Sequence, residues 1–217
     1  MNHKLKNYLS NYFKIKNKTK IFIFLYLFII SSTAFYDSLM AFDFFGKKER
    51  LKVIEKFGGD FKLTGPDRGE ISSLNFRGKI LLINFGYTHC PDVCPMTLSH
   101  LKQVMLELGD LSENVQVFFI SIDPERDTPS KLKDYVPYFD STFIGLTGSV
   151  KEIKNVAKKF GSYFFKQEVE SEIKYLMAHM EGVFLVDQIG NVRGRYKTND
   201  DLENLISDIK WLIKSNS

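Results

Sequence analysis

The chain is predicted to fold as an α/β protein, a mixed β-sheet covered by helices on both faces. Three observations predict it. The runs "KILLINFGY" from Lys79 and "NVQVFFISID" from Asn114 are continuously apolar, as central strands buried on both faces are, rather than alternating. Each is followed by a stretch with apolar residues at helical spacing. Finally, "EGVFLVDQIGNVRGRY" from Glu181 places two strands around a Gln-Ile-Gly-Asn turn, a β-hairpin signal. Strands separated by helices pair in parallel and a hairpin pairs antiparallel, so the sheet is mixed.

The elements follow in order. "FKLTGPDRGEISSLNFRGK" from Phe61 has short alternating pieces around Pro66-Asp67-Arg68-Gly69 and reads as an N-terminal hairpin. After the first central strand, "MTLSHLKQVMLELGDL" sets Leu98, Leu101, Val104, Met105 and Leu108 on one helical face, with Gly109 as the stop. After the second strand, "TPSKLKDYVPYF" is a helix with Thr128 as N-cap and Pro129 as its first residue. "FIGLTG" from Phe143 is a short strand. "SVKEIKNVAKKFGSYF" from Ser149 is a helix with Ile153, Val156, Ala157 and Phe160 inward. "KQEVESEIKYLMAH" from Lys166 is polar and alternating and reads as an extended insertion. The last helix, "DDLENLISDIKWLIKS" from Asp200, buries Leu202, Leu205, Ile206, Ile209 and Leu212.

At 217 residues and 44% hydrophobic, the chain holds a real core, and its length suits one domain with extensions. Residues 1–20 carry six lysines and no acid. Against a total of +4, the remaining residues therefore sum to −2. A mildly acidic body lacks the basic face that nucleic acid requires, which sets that partner class aside. The basic leader runs into "IFIFLYLFIISSTAFY", residues 21–36, uncharged until Asp37. A positive flank before an apolar run is the pattern of an export signal or an N-terminal anchor. Ser32-Thr33-Ala34 offers a small-residue cleavage site, whereas an anchor extends over residues 21–41. A buried core helix would leave the basic leader unexplained. The expected organisation is a basic cytoplasmic tail over 1–20, an N-terminal membrane helix or signal over 21–41, a polar connector over 42–56, and the folded domain over 57–217. That domain is expected outside the cytoplasm, in the periplasm of a bacterial inner-membrane protein or the equivalent mitochondrial intermembrane space.

Cys90 and Cys94 are the only cysteines, and they lie in "NFGYTHCPDVCPMTL", between the first central strand and the helix after it. Loops at the carboxyl ends of strands are where α/β sheets carry chemistry, and the thioredoxin fold places its redox cysteines there. With Pro95 as the first helical residue, Cys94 is expected at the N-cap. Free N–H groups and the positive helix end then favour thiolates. A structural staple is an inefficient use of the pair, because so short a bridged loop restrains the unfolded chain little. Three intervening residues still allow a disulfide, with Cα atoms about 6 Å apart. The wider mouth also suits a metal, and two thiolates with an imidazole favour Cu(I), with Zn(II) the commonest competitor. Three histidines are candidates for a third ligand. His89, adjacent to Cys90, is expected to point away from its sulfur. His100 lies on the helix away from its mouth. His179 precedes the C-terminal hairpin, where a strand can pack beside the first βα loop, although an ordinary loop histidine would look the same.

"FGYTHCPDVCPMTL", "SIDPERDTPSKLKDYV", "FIGLTGS" and the His179 segment before "FLVD" resemble, in order, the Sco/SenC copper chaperones of cytochrome c oxidase assembly. The resemblance runs from about Gly58 to the C-terminus. It implies a thioredoxin-like domain tethered by an N-terminal helix, which binds a copper ion, Cu(I) or Cu(II), through Cys90, Cys94 and His179. It implies as partners cytochrome c oxidase subunit II, a copper donor protein and a thiol reductant, with Cys90 and Cys94 also available as a redox pair for thiol–disulfide exchange. No peroxidatic motif accompanies the cysteines. One departure stands out: the family commonly has Asp before the histidine and Ser after it, and here Ala178 and Met180 flank it. Met180, a soft thioether, is a candidate auxiliary Cu(I) contact. Within "DPERDTP", Asp123 and Asp127 serve either turn, cap and Arg126 ion-pair chemistry or the tuning and docking surface of the site. Tyr87 is either core or partner-facing rim.

Overall fold

The computed structural model describes residues 51–169, 175–197 and 202–215. The basic leader and the membrane or signal segment fall outside them. Among the described residues no helix is long and apolar enough to cross a membrane.

The two apolar runs form β3 (Ile80–Gly86) and β4 (Val115–Ser121), every residue of which is buried. They pair in parallel from Ile80 opposite Val115 to Gly86 opposite Ser121. The C-terminal hairpin, β8 (Val183–Val186) and β9 (Val192–Tyr196), adds antiparallel to the other side of β3, and β5 (Ile144–Leu146) pairs parallel with β4. The sheet order is thus β5-β4-β3-β8-β9, the mixed sheet expected. Ahead of it, β1 (Lys62–Thr64) and β2 (Glu70–Ser72) form the N-terminal hairpin.

Helices α1 (Val93–Leu108), α2 (Pro129–Tyr135), α3 (Val150–Lys159) and α4 (Leu202–Ser215) cover the sheet. Successive residues of β3 look to opposite faces. Gly86 looks at α1, which packs against α4, while Phe85 meets Phe160, just beyond α3, at a centroid separation of 6.0 Å. Phe85, Phe118, Phe119, Leu98 and Leu132 are essentially inaccessible to solvent, each worth about 1.5–3 kcal/mol of burial. Leu51 and Ile54, ahead of the first strand, also pack on this core.

Two expectations need correction. Cys94 is not the N-cap of α1: the helix begins at Val93 after Asp92, so Cys94 is its second residue and Pro95 its third. The first four N–H groups of a helix have no intrahelical partner, so proline is tolerated throughout the first turn and does not mark its first residue. The third helix stops at Lys159 rather than running to Phe164. Gly161, at φ 66°, turns the chain in the left-handed region, and a Cβ there would lie 2.3 Å from the Phe57 ring. The polar insertion is extended as expected where it is described, and it pairs as an antiparallel ribbon of β6 (Phe164–Glu168) with β7 (Tyr175–His179), in which Phe164 faces His179. Thr128 does cap α2, accepting from the Lys131 N–H at 3.3 Å, with Pro129 first in the helix.

Candidate metal centre

Because β3 and β4 end level, with Gly86 opposite Ser121, the loops that leave them emerge side by side. One carries the cysteines and the other is the "DPERDTP" turn. Asp127 joins them. Fully buried, its carboxylate accepts from Thr88 N–H (2.9 Å), Thr88 Oγ1 (2.5 Å) and Ser121 Oγ (2.7 Å). A buried carboxylate is tolerable only when hydrogen-bonded, and here those donors fix Thr88, two residues before Cys90.

Cys90 is half-buried and Cys94 is 2% exposed; both are free. The Asp92 side chain makes no capping bond. Instead the Cys90 sulfur accepts from the Cys94 N–H at 3.4 Å, so a sulfur occupies the role usually taken by a capping oxygen. The two thiols are held apart in acidity. A hydrogen bond from Cys94, joined by the backbone at Asp92 and Cys94, outweighs burial and pulls Cys90 down to about 3. The same hydrogen bond, then burial and the charge on Cys90, push Cys94 up. The pair therefore holds a thiolate on Cys90 and its remaining proton on Cys94. Gly86 permits this packing: a Cβ there would lie 3.1 Å from the Cys94 sulfur and 2.6 Å from the Phe119 ring.

His179 ends β7, and its Nε2 lies 3.9 Å from the Cys94 sulfur. Its Nδ1 lies 3.2 Å from the Met180 carbonyl, which can only accept, so Nδ1 carries the proton and the Nε2 lone pair faces the sulfur. The Tyr87 ring meets the imidazole edge-on, at 6.2 Å between centroids. Tyr87 itself is core, 2% exposed.

The structure thus brings His179 to the cysteines across 85 residues of sequence separation and leaves the other two histidines away. His89 points to Lys131, whose Nζ is 3.2 Å from its Nε2, and to Thr88; burial and then Lys131 lower its pKa. His100 lies farther along α1, in a small cavity with Thr97, Leu101 and Tyr196. Met180 is partly exposed, with its sulfur against the Arg195 guanidinium. Ala178 lies on the ribbon face opposite His179. Asp123 makes the turn and the Arg126 ion pair expected of it, Thr128 makes the cap, and Asp127 instead holds Thr88 and Ser121; Asp123 and Asp127 both reach the elements that carry the site. Gly86, Thr88 and Tyr175 were not anticipated as parts of it. The one signal for them was the pair of carboxylates in the turn, whose partners sequence order alone does not name.

Among the described residues no three Cys, His, Asp or Glu side chains already stand as a closed metal cage. The separation of sulfur and imidazole nevertheless fits one. An ion about 2.3 Å from sulfur and about 2.0 Å from nitrogen holds the two about 3.7 Å apart at a trigonal angle. The observed 3.9 Å is within a few tenths of that, and the donor set is the soft one of two sulfurs and an imidazole.

Fold and site together define a thioredoxin-like domain with a two-cysteine loop completed by a histidine from a separate ribbon. The SCO1/SenC family model matches residues 50–214, and the chain belongs to that family. A SCO2-like protein of Rickettsia felis is 33% identical over 74% of this chain and 77% of its own length. The mitochondrial SCO2 of Saccharomyces cerevisiae is 36% identical over 73% of this chain, which spans about half, 53%, of that relative. Among solved structures, Bradyrhizobium japonicum ScoI with copper bound superposes with a TM-score of 0.66 at 35% identity, covering 72% of this chain and 99% of that one. BsSco, described as a member of the Sco family of cytochrome c oxidase assembly proteins with a disulfide switch, gives 0.61 at 26% identity, covering 77% and 99%.

Proposed function

We propose that this chain is a copper chaperone of cytochrome c oxidase assembly. It holds copper through Cys90, Cys94 and His179 and passes it by ligand exchange to the two-cysteine copper site of oxidase subunit II. The observation that carries the reading is the approach of His179 Nε2 to Cys94 at 3.9 Å, with the Cys90 thiolate beside it. Family membership and the copper-bound B. japonicum relative support the choice of metal.

Each residue has a distinct part. Cys90, already a thiolate and partly open to solvent, meets the incoming ion. Cys94 releases its proton to solvent as it binds, so uptake is favoured by rising pH. The Nε2 lone pair of His179 completes the set, its tautomer fixed by the Met180 carbonyl. Delivery reverses the order as the thiolates of the target replace those of this chain. The copper comes from a donor protein. The domain works in the periplasm or intermembrane space, held at the membrane by the N-terminal segment; recovery of the intact N-terminus in a membrane fraction checks this last part.

The two-thiol geometry favours a second reading, a thiol–disulfide reductase on the same target. The Cys90 thiolate attacks a target disulfide and forms a mixed disulfide. Cys94 then loses its proton and attacks Cys90, leaving a Cys90–Cys94 disulfide and two target thiols. A thiol reductant supplies the two electrons that restore the pair.

His179 separates the readings, since exchange needs only the sulfurs. Copper titration of the reduced full-length chain, wild type beside His179→Ala, is expected to show one copper bound by the wild type and weaker, spectrally altered binding in the variant. Unchanged affinity and spectrum in the variant would refute the three-ligand site. Absence of copper binding, with disulfide reduction intact in both, gives the reductase reading.

A further inference from the structure

The ribbon that carries His179 is attached in an unusual way. Among the described residues no backbone hydrogen bond joins β6–β7 to the five-stranded sheet. Every second residue of β7 faces the body: Tyr175, the buried Met177, then His179 at the end. Met177 packs as an apolar contact, and its backbone also meets the Tyr87 hydroxyl. Of the polar side-chain contacts that give direction and register, Lys166 pairs with Glu125 at 2.5 Å and the rest gather at Tyr175.

Its hydroxyl donates to Asp123 Oδ1 at 2.8 Å. The other oxygen of Asp123 accepts from Arg126 Nε at 2.5 Å. Arg126 in turn donates from Nη1 to the Tyr175 carbonyl at 3.1 Å and lays its guanidinium 3.7 Å from the centroid of the Tyr175 ring. One tyrosine is thus gripped by hydroxyl, ring face and backbone together, with Asp123 1% and the Arg126 side chain 17% exposed. His179 lies four positions along the strand from this grip, about 13 Å of extended chain. Asp127, in the same turn, holds the cysteine loop through Thr88.

We infer that Asp123, Arg126 and Tyr175 are positioning residues that set where His179 stands over the cysteines. The "DPERDTP" turn is then the common base of both halves of the site. The inference rests on the copper reading for its consequence but not for its geometry.

The test uses Tyr175→Phe, which removes only the hydroxyl, and Arg126→Lys, which keeps the charge but loses the planar fork and the stacking. Two measurements on the full-length reduced protein decide it. In the metal-free protein, amide hydrogen exchange at residues 176–179 is expected to rise in both variants while β3 and β4 stay protected. With Cu(I) under chelator competition, both are expected to weaken binding about tenfold, the low end for residues that orient metal-bound imidazoles. In a His179→Ala background Tyr175→Phe should weaken binding no further, because its effect runs through the imidazole. Unchanged exchange in both variants overturns the inference, and so does an equal loss of affinity with and without His179, which is the mark of general destabilisation. If the wild type takes no copper, the copper reading falls while the exchange measurement still judges the tether.

Discussion

The cysteines and the histidine of the site are mounted on unlike supports. Cys90 and Cys94 follow a strand laddered on both sides, in parallel to β4 and antiparallel to β8, with all seven of its residues buried. His179 sits at the end of a ribbon that, among the described residues, pairs only with itself and reaches the body through side-chain contacts. The difference teaches that the site is not a property of one loop. Its sulfur half is fixed by the sheet, and its nitrogen half is fixed by a few polar contacts that a single substitution can loosen.

That contrast can be broken at several points. Asp127→Ala removes the acceptor shared by Thr88 and Ser121 and leaves buried donors without it. Each unsatisfied buried group costs about 1–3 kcal/mol, so a loss of about 3 kcal/mol in urea unfolding is expected. A loss below 1 kcal/mol would show that the sheet alone holds the cysteine loop. Gly86→Ala forces a methyl group against the Phe119 ring and the Cys94 sulfur. Overpacking of this kind costs about 1–3 kcal/mol, and the variant should also perturb Cys94 while leaving exchange on the ribbon unchanged.

A gentler probe compares the sulfurs. Because the Cys90 pKa is lowered to about 3, its thiolate persists from pH 8 down through pH 5, where an ordinary thiol near 8.5 is protonated. Its alkylation rate should therefore stay nearly flat across that range and fall only toward pH 3. Cys94, with its pKa raised by the shared hydrogen bond and burial, should lag at least about tenfold behind at pH 7. Equal rates, mapped by peptide mass spectrometry, would remove the asymmetry. The smallest effect is expected of Ala178→Asp, which restores the residue common before the histidine. Position 178 faces away from the cysteines, and a charge on that side shifts binding by about 0–1 kcal/mol, at most about fivefold in affinity. A larger change would mean that the outer face of the ribbon also sets the imidazole.

The sequence was most legible where burial is complete. The runs at Lys79 and Asn114 read as central strands, and the level ends of β3 and β4 put the two cysteines at the carboxyl end of the sheet. Legibility failed where polar contacts decide. The ribbon's polar alternation reads as extended chain but names no pairing partner, and Phe164, its first residue, looks like the end of a helix. Pro95 suggested a helix start that lies two residues earlier, since proline fits any position of the first turn. His179 could not be told from a loop histidine by spacing. It was the family resemblance that singled it out, and only the ribbon geometry explains how it arrives.

The unequal exposure of the two sulfurs has a temporal side. Cys94 is sealed beneath Gly86 and Phe119, while Cys90 opens to solvent at the loop. Anything arriving from outside, whether an ion, a thiolate or a disulfide, reaches Cys90 first and can touch Cys94 only afterwards. A departing group must likewise leave the deep sulfur before the shallow one. The packing of one glycine thereby gives the pair a first and a last, a fixed itinerary for whatever passes through it.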